Sequence, residues 1–326
     1  MRSLLFVLFL CFIIAHDARA TTWDEPWHDE VMRNSDSFVK VKITANEGSV
    51  VKAELIKFLA GARTPAQIEL KGYWSLTLTS ISSASSELGM PFTPGQIYYL
   101  FIKKSAKTNA YQIPTPTSGW ASLHGADVAA TYRHSFHKAL VPEEIYEKTM
   151  QAIFNGARGQ PYDTDFIEKF TKEQLSQSVA ALSQEDLAMT KRFFLQHVAL
   201  ESFFHLGKGA DLALLIPFTE SDNYHVQISA CRAVSRIDSP ASRELLMKFI
   251  EGKNGVGFAK VMCVWGLKRL NAKGMIPRLE AFVKTGADQE TGFGGDIMDP
   301  RVGTYFPESV KDSIKVLLDE WRKAGV

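Results

Sequence analysis

The residues best suited to chemistry lie in one short run, Ala130-Thr-Tyr132-Arg133-His134-Ser135-Phe136-His137-Lys138. His134 and His137 stand three apart, near enough on a helix or turn to share a metal ion. Tyr132, Arg133, Ser135 and Lys138 would surround them with polar donors. Zinc takes three or four ligands. His124 lies ten residues upstream and Glu143 and Glu144 follow shortly, but spacing alone fixes no third ligand. One reading is therefore a zinc-dependent or otherwise catalytic centre on His134 and His137. The other, which the weakness of a single His-x-x-His favours, is structural. Here the run stitches two halves of the protein together, with one imidazole bonded to a backbone carbonyl and Arg133 paired to a helix carboxylate. Ser135 lacks the Gly-x-Ser-x-Gly elbow of a nucleophile.

The residues before this run must form the element that positions it. From Phe38 to about His134 the apolar period is two, which marks strands. Strands are expected at 38–43, 50–59, 67–74, 95–102 and 127–133, with turns at Gly48, Gly61–Pro65, Pro91 and Pro94-Gly95. Five or so strands without an intervening helix suit a small closed barrel, which leaves no exposed edge. The loop Ile113–Trp120 carries Trp120 either as an aromatic anchor for a partner or as a plug in the barrel mouth. Trp23 and Trp27, flanking Pro26, are expected to tuck into the barrel or else to form an exposed aromatic patch. The run Val51-Lys-Ala-Glu-Leu-Ile-Lys-Phe-Leu-Ala-Gly61, then Ile68-Glu-Leu and Gly95-Gln-Ile-Tyr-Tyr-Leu-Phe, resembles the core pattern of netrin-module and metalloproteinase-inhibitor OB-fold domains. That resemblance implies an OB-like fold only. The inhibitory cysteine of those families has no counterpart here, where the expected mature N-terminus is Thr21.

After the run the period becomes helical. Pro142 suits position N1 of a helix whose first turn holds Glu143 and Glu144. Thr171-x-x-Gln174 and Ser183-x-x-Asp186 look like starts of two more helices. Then a pattern repeats. Leu206, Ile237 and Leu270 align at spacings of 31 and 33 residues, as do Leu215, Leu246 and Leu279, and Phe218, Phe249 and Phe282. Small residues recur four positions before the first set (Ser202, Ala233, Gly266). Gly207, Asp238 and Asn271 follow it, all types that tolerate the left-handed end of a helix. This stretch is similar to the short bacterial HEAT repeats, which implies three stacked helical pairs. The stack would be capped by a helix over about 308–323. The segment 286–307 has five glycines and reads as a flexible flap.

Length and charge bound the rest. Arg2, the apolar run Leu4–Ala15 and Ala18-Arg19-Ala20 form a secretory signal peptide, too short for a membrane span. Without residues 1–20, Lys+Arg falls from 37 to 35 and Asp+Glu from 36 to 35, giving a net charge of zero. A neutral chain disfavours nucleic acid and anionic membranes as partners. Cys231 and Cys263 fall one position out of register between repeats, which argues for buried free thiols over a bridge. The fold class expected is α+β in two domains: residues 21–140 an OB-like closed barrel, residues 141–326 a short HEAT-like α-solenoid. The function expected is a non-enzymatic binding or scaffold protein, periplasmic or secreted and without a cofactor. It would take a protein or peptide partner, with Trp120, Tyr132, Arg133, His134, His137 and Lys138 as candidate binding residues.

Overall fold

The computed structural model describes residues 23–47, 50–71, 78–79, 87–88, 92–115, 117–292 and 302–325. The expected signal peptide, the end of the third strand and the centre of the glycine-rich segment lie outside them. The chain begins with β1 (Trp23–Asp24) and α1 (His28–Arg33). The sheet strands are β2 (Ser37–Asn46), β3 (Val50–Gly61), β4 (Gln67–Lys71), β7 (Ile97–Lys104), β8 (Tyr111–Gln112), β9 (Trp120–His124), β10 (Asp127–Thr131) and β11 (Lys138–Pro142). The short strands β5 (Leu78–Thr79) and β6 (Glu87–Leu88) pair with each other alone.

Strands β7, β2, β3, β4 and β8 pair in that order, and β8 returns to β7, closing a five-stranded barrel. Register shifts between β2 and β3 occur after Phe38, Lys40 and Ile43. Such bulges bend long strands enough to close so small a barrel. The closing strand differs from the expected one. Residues 127–131 do not close the barrel. They form a hairpin with β11 and, through β9, extend the sheet outward from β7. The true closing strand is two residues long, and a two-residue strand has no period to read.

Strand β7 explains why its sequence is apolar throughout: both faces are buried. Tyr98, Leu100 and Ile102 point inward with Val39, Val41, Ile43, Val51, Ile68 and Leu70. Tyr99 and Phe101 point outward, with Phe38, beneath helix α2 (Glu143–Gly156). Tyr146 meets Tyr99 edge-on at 4.9 Å, and Phe154 stacks on Phe101 at 6.2 Å. Each such ring removed from water contributes roughly 1.5–3 kcal/mol. At the rim Lys40 pairs with Glu143 and Lys57 with Glu147, both at 2.5 Å. The first-turn acids of α2 thus bind the barrel as well as the helix dipole. Pro142 is the N-cap of α2, not its first residue.

The remaining helices are α3 (Thr164–Leu175), α4 (Leu187–Leu206), α5 (Leu212–Thr219), α6 (Tyr224–Val234), α7 (Pro240–Glu251), α8 (Gly257–Arg269), α9 (Ile276–Thr285) and α10 (Val310–Lys323). No helix starts at Thr171, which lies inside α3; Asp163 caps that helix by accepting from Phe166 N. Asp186, not Ser183, caps α4. Gly207 (φ 68°) and Asn271 (φ 45°) adopt the left-handed conformation, whereas Asp238 does not. Helices α4, α6, α8 and α10 pack in succession. At Gly266 a Cβ would sit 2.9 Å from Leu246 Cδ1 and 3.1 Å from Ser235 Cβ. The small residue there is required by close helix approach. Val310, Ile314, Leu317, Leu318 and Trp321 of α10 are buried and its charged residues face outward. No described helix is long and apolar enough to cross a membrane.

Candidate functional site

Helices α4 and α8 are covered on nearly all sides, so polar residues on them are enclosed as well. His197, Glu201 and His205 lie along α4 at intervals of four, on one stripe. Ser229 and Arg232 face them from α6. The turn after β10 lays Tyr132–His137 across this stripe, which places Arg133 fully inside the protein. Arg133 Nη1 donates to His225 O at 3.0 Å and to Ser229 Oγ at 2.9 Å, while Nη2 donates to His225 Nδ1 at 3.1 Å. Ser229 Oγ donates to Glu201 Oε1 at 2.6 Å, and Arg232 Nε to Glu201 Oε2 at 3.1 Å.

These bonds fix the tautomers. Arginine cannot accept, so His225 Nδ1 carries a lone pair. The single hydroxyl proton of Ser229 goes to Glu201, so His197 Nδ1, 3.2 Å away, is the donor to Ser229. His137 packs between these two rings, with centroids 4.1 Å from His197 and 4.3 Å from His225. All three imidazoles are held neutral. Burial, then the Arg133 charge, lowers His137 to about 2; burial also puts His197 well below its ordinary value and lowers His225 to about 4. Burial raises the Tyr132 hydroxyl above its usual range; it lies 2.6 Å from Thr149 Oγ1.

His134 belongs to a different neighbourhood. Its Nε2 bonds the carbonyl of Glu25 at 3.0 Å, and Trp27 meets its ring edge-on at 5.4 Å. Burial lowers it to about 4. The two histidines three apart in sequence therefore serve two sets of partners. The hydrogen bond to a carbonyl matches the stitching arrangement expected for one imidazole. Arg133 reaches Glu201 through the Ser229 hydroxyl, not directly. Among the described residues no group of three or more His, Cys, Asp or Glu side chains is placed to hold a metal ion. His124 bonds Ser122 on β9. Glu143 is engaged by Lys40 and Tyr99, and Glu144 by Lys148.

Trp120 is buried in the barrel core, edge-on to Phe92 and Tyr98 at 5.9 Å, and Lys138 Nζ lies over its ring at 4.8 Å. Trp27 lies on the helices instead of in the barrel, 5.6 Å from Trp265, 6.3 Å from Phe258 and 6.5 Å from Phe306. It is held there because Glu25 accepts hydrogen bonds from Thr115, Thr117 and Ser118 in the loop before β9. In addition, β1 pairs in parallel with β12 (Val302–Gly303). The described ends of the glycine-rich segment are anchored: Thr291 N bonds Glu308 O, and Phe306 stacks on Phe258 at 4.4 Å. Cys231 and Cys263 are buried free thiols. They are neighbours all the same, and burial, with the contact to Cys231, raises Cys263.

Trp265 separates three adjoining depressions. One, of about 400 Å³, is lined by Trp27, Phe204, Arg232, Lys268 and Arg269 among others. A second, of about 310 Å³, includes Asp24, Glu30, His134 and Tyr305. The third, of about 510 Å³, runs past Lys268, Tyr305, Phe306 and Val316. Tyr305 is 86% exposed at the junction of the last two. A larger cavity of about 820 Å³ lies at the foot of the barrel, beside Arg158. That guanidinium already donates to the carbonyls of Met32, Ser35 and Phe154. Spacing gave no sign of the residues around Trp265, which come from β1, α1, α4, α6, α8, α10 and the segment before it. The stripe on α4 did have a signal, polar residues every fourth position in an otherwise apolar helix. In comparison with known proteins, no family model, no curated protein and no solved structure matches the chain.

Proposed function

We propose that the chain is a non-enzymatic binding protein that takes a peptide or an extended segment of a protein partner across the depressions around Trp265. In this reading α4 to α9 are HEAT-like pairs forming a short solenoid. The OB-like barrel braces one end of it, and the protein works outside the cytoplasm. The observation that carries the proposal is the contrast between sealed and open polar groups. The Arg133–Ser229–Glu201 network has the residue types of a catalytic constellation, but Arg133, Ser229 and Glu201 are all fully buried. Their hydrogen bonds go to one another and to His197, His225 and Arg232, all enclosed by the same elements. Around Trp265, by contrast, Trp, Tyr and Arg side chains border adjoining open depressions. These are the residue types that dominate binding hot spots.

Selection of a random linear-peptide library on the immobilised full chain tests this. Peptides should be recovered that lose binding to Trp265→Ala and cross-link to a photoreactive phenylalanine analogue at position 305. Failure to recover any peptide, or recovery of peptides indifferent to both changes, would sink the reading. One observation favours the zinc alternative: His137 Nδ1 and His197 Nε2 are buried without a hydrogen-bond partner. Metal analysis of the purified protein decides it. Stoichiometric zinc that disappears in a His134→Ala, His137→Ala double variant would favour the metal reading over the scaffold.

A further inference from the structure

The lobe on the α8 side of Trp265 has an unusual charge arrangement. Arg232 and Arg269 both lie over the Phe204 ring, with guanidinium carbons 3.8 and 4.7 Å from its centroid. Lys268 lines the same cavity, and the charges of Arg236 and Arg33, which do not line it, also act on Arg269. Three of these cations are already matched. Arg232 pairs with Glu201 at 3.1 Å, Lys268 with Glu320 at 2.5 Å and Arg33 with Asp29 at 2.8 Å. Arg236 and Arg269 have no carboxylate within ion-pair distance among the described residues. Burial above all, and then the charges of Arg236 and Arg232, hold Arg269 below its ordinary value. Glu30, exposed at the rim, has no ion-pair partner among the described residues, so the two unmatched guanidiniums, Arg269 and the neighbouring Arg236, exceed it by one positive charge.

We propose that this lobe, in which Arg269 lies against Phe204 under the charge of Arg236, receives one carboxylate of the bound peptide. The proposal rests on the peptide-binding reading above and names the group that peptide must present. An excess of one charge matches a carboxylate better than a phosphate dianion. A planar guanidinium offers paired donors to a carboxylate in a single plane. The walls, Trp27, Phe204, Met262 and Trp265, require the carboxylate to be carried beside an apolar or aromatic side chain. Either a peptide C-terminus or an Asp or Glu side chain could present it.

The test uses the peptides recovered by selection on the full chain. They are remade as free acids, as C-terminal amides, and with each Asp or Glu changed to Asn or Gln. Binding is read by fluorescence anisotropy. Loss of the recognised carboxylate should weaken binding roughly tenfold to a hundredfold, as for a charge-assisted hydrogen bond. Sensitivity to amidation assigns the C-terminus, and sensitivity to the side-chain change assigns an internal acid. Arg269→Gln should weaken the free acid by a similar factor and abolish the difference between acid and amide, while Arg269→Lys keeps part of both. An unchanged thermal midpoint for Arg269→Gln shows that it is folded. If peptides bind through Trp265 but none is sensitive to neutralisation and Arg269→Gln binds normally, the carboxylate assignment falls and the binding reading stands. If no peptide is recovered, both fall. Displacement by inorganic phosphate far below the concentration needed for acetate would overturn the assignment to a single charge.

Discussion

The protein is held together by two interiors built on opposite principles. Inside the barrel, Val39, Val41, Ile43, Leu70, Tyr98, Leu100 and Ile102 enclose almost nothing that needs a hydrogen bond. Between the barrel and the helices, six histidines, Arg133, Glu201 and Arg232 lie among the apolar residues. The first interior depends on shape and area, which are insensitive to protons. The second depends on linked donors and acceptors, so one misplaced proton disturbs a whole network. The difference matters because the seam, not the barrel, carries the open surface around Trp265.

Acid should separate the two most strongly. Burial lowers His28 to about 3, His134, His205 and His225 to about 4 and His137 to about 2, and puts His197 well below its usual range. For these groups the folded pKa lies below the unfolded value near 6.5, so the unfolded chain binds more protons. Their contribution is complete above about pH 6.5 and is lost as pH falls through the range from 6.5 toward 4. Unfolding should therefore take up several protons at pH 5 and almost none at pH 8, measured as the pH slope of urea-unfolding free energy. A flat profile would mean that these rings are not buried neutral.

Next in size is removal of a network member. Glu201→Ala leaves Arg232 enclosed without its counter-charge and should cost about 3–5 kcal/mol by urea denaturation at pH 7.5. A loss under 1 kcal/mol would show that water reaches the seam. Leu100→Ala in the barrel should cost about 2–5 kcal/mol through the cavity it leaves. Unlike the seam variant, its penalty should be the same at pH 5.5 and pH 8. Ser239→Ala removes the oxygen that caps α7, bonded from Ser242 N at 3.0 Å. It should cost only about 1 kcal/mol, read as a small shift in thermal midpoint.

The two interiors also differ in how far the sequence discloses them. Alternating residues such as Val39, Val41 and Ile43 mark barrel strands because burial on one face imposes a period of two. Trp120 lies buried next to Tyr98 because its strand pairs with β7, a partner distant in sequence. His134 and His137 drew attention through their spacing, yet the folded chain gives them separate partners. His197, His225 and His28 come from three separated elements, so no local pattern joins them. The groove residues Trp27, Trp265 and Tyr305 are further apart still. What was hidden is what only tertiary pairing brings together.

The parallel pairing of β1 with β12 has a consequence for the order of assembly. Trp23 and Asp24 cannot pair until Val302 and Gly303 exist, and Trp27 cannot dock until Phe258, Trp265 and Phe306 are in place. Contacts of such long sequence separation form late, because the intervening chain must first be ordered. A chain emerging from its N-terminus must therefore hold its first described residues undocked while the barrel and most helices fold behind them. The surface around Trp265 acquires its Trp27 wall at the final closure of the molecule, so a half-made chain has no groove to offer a partner.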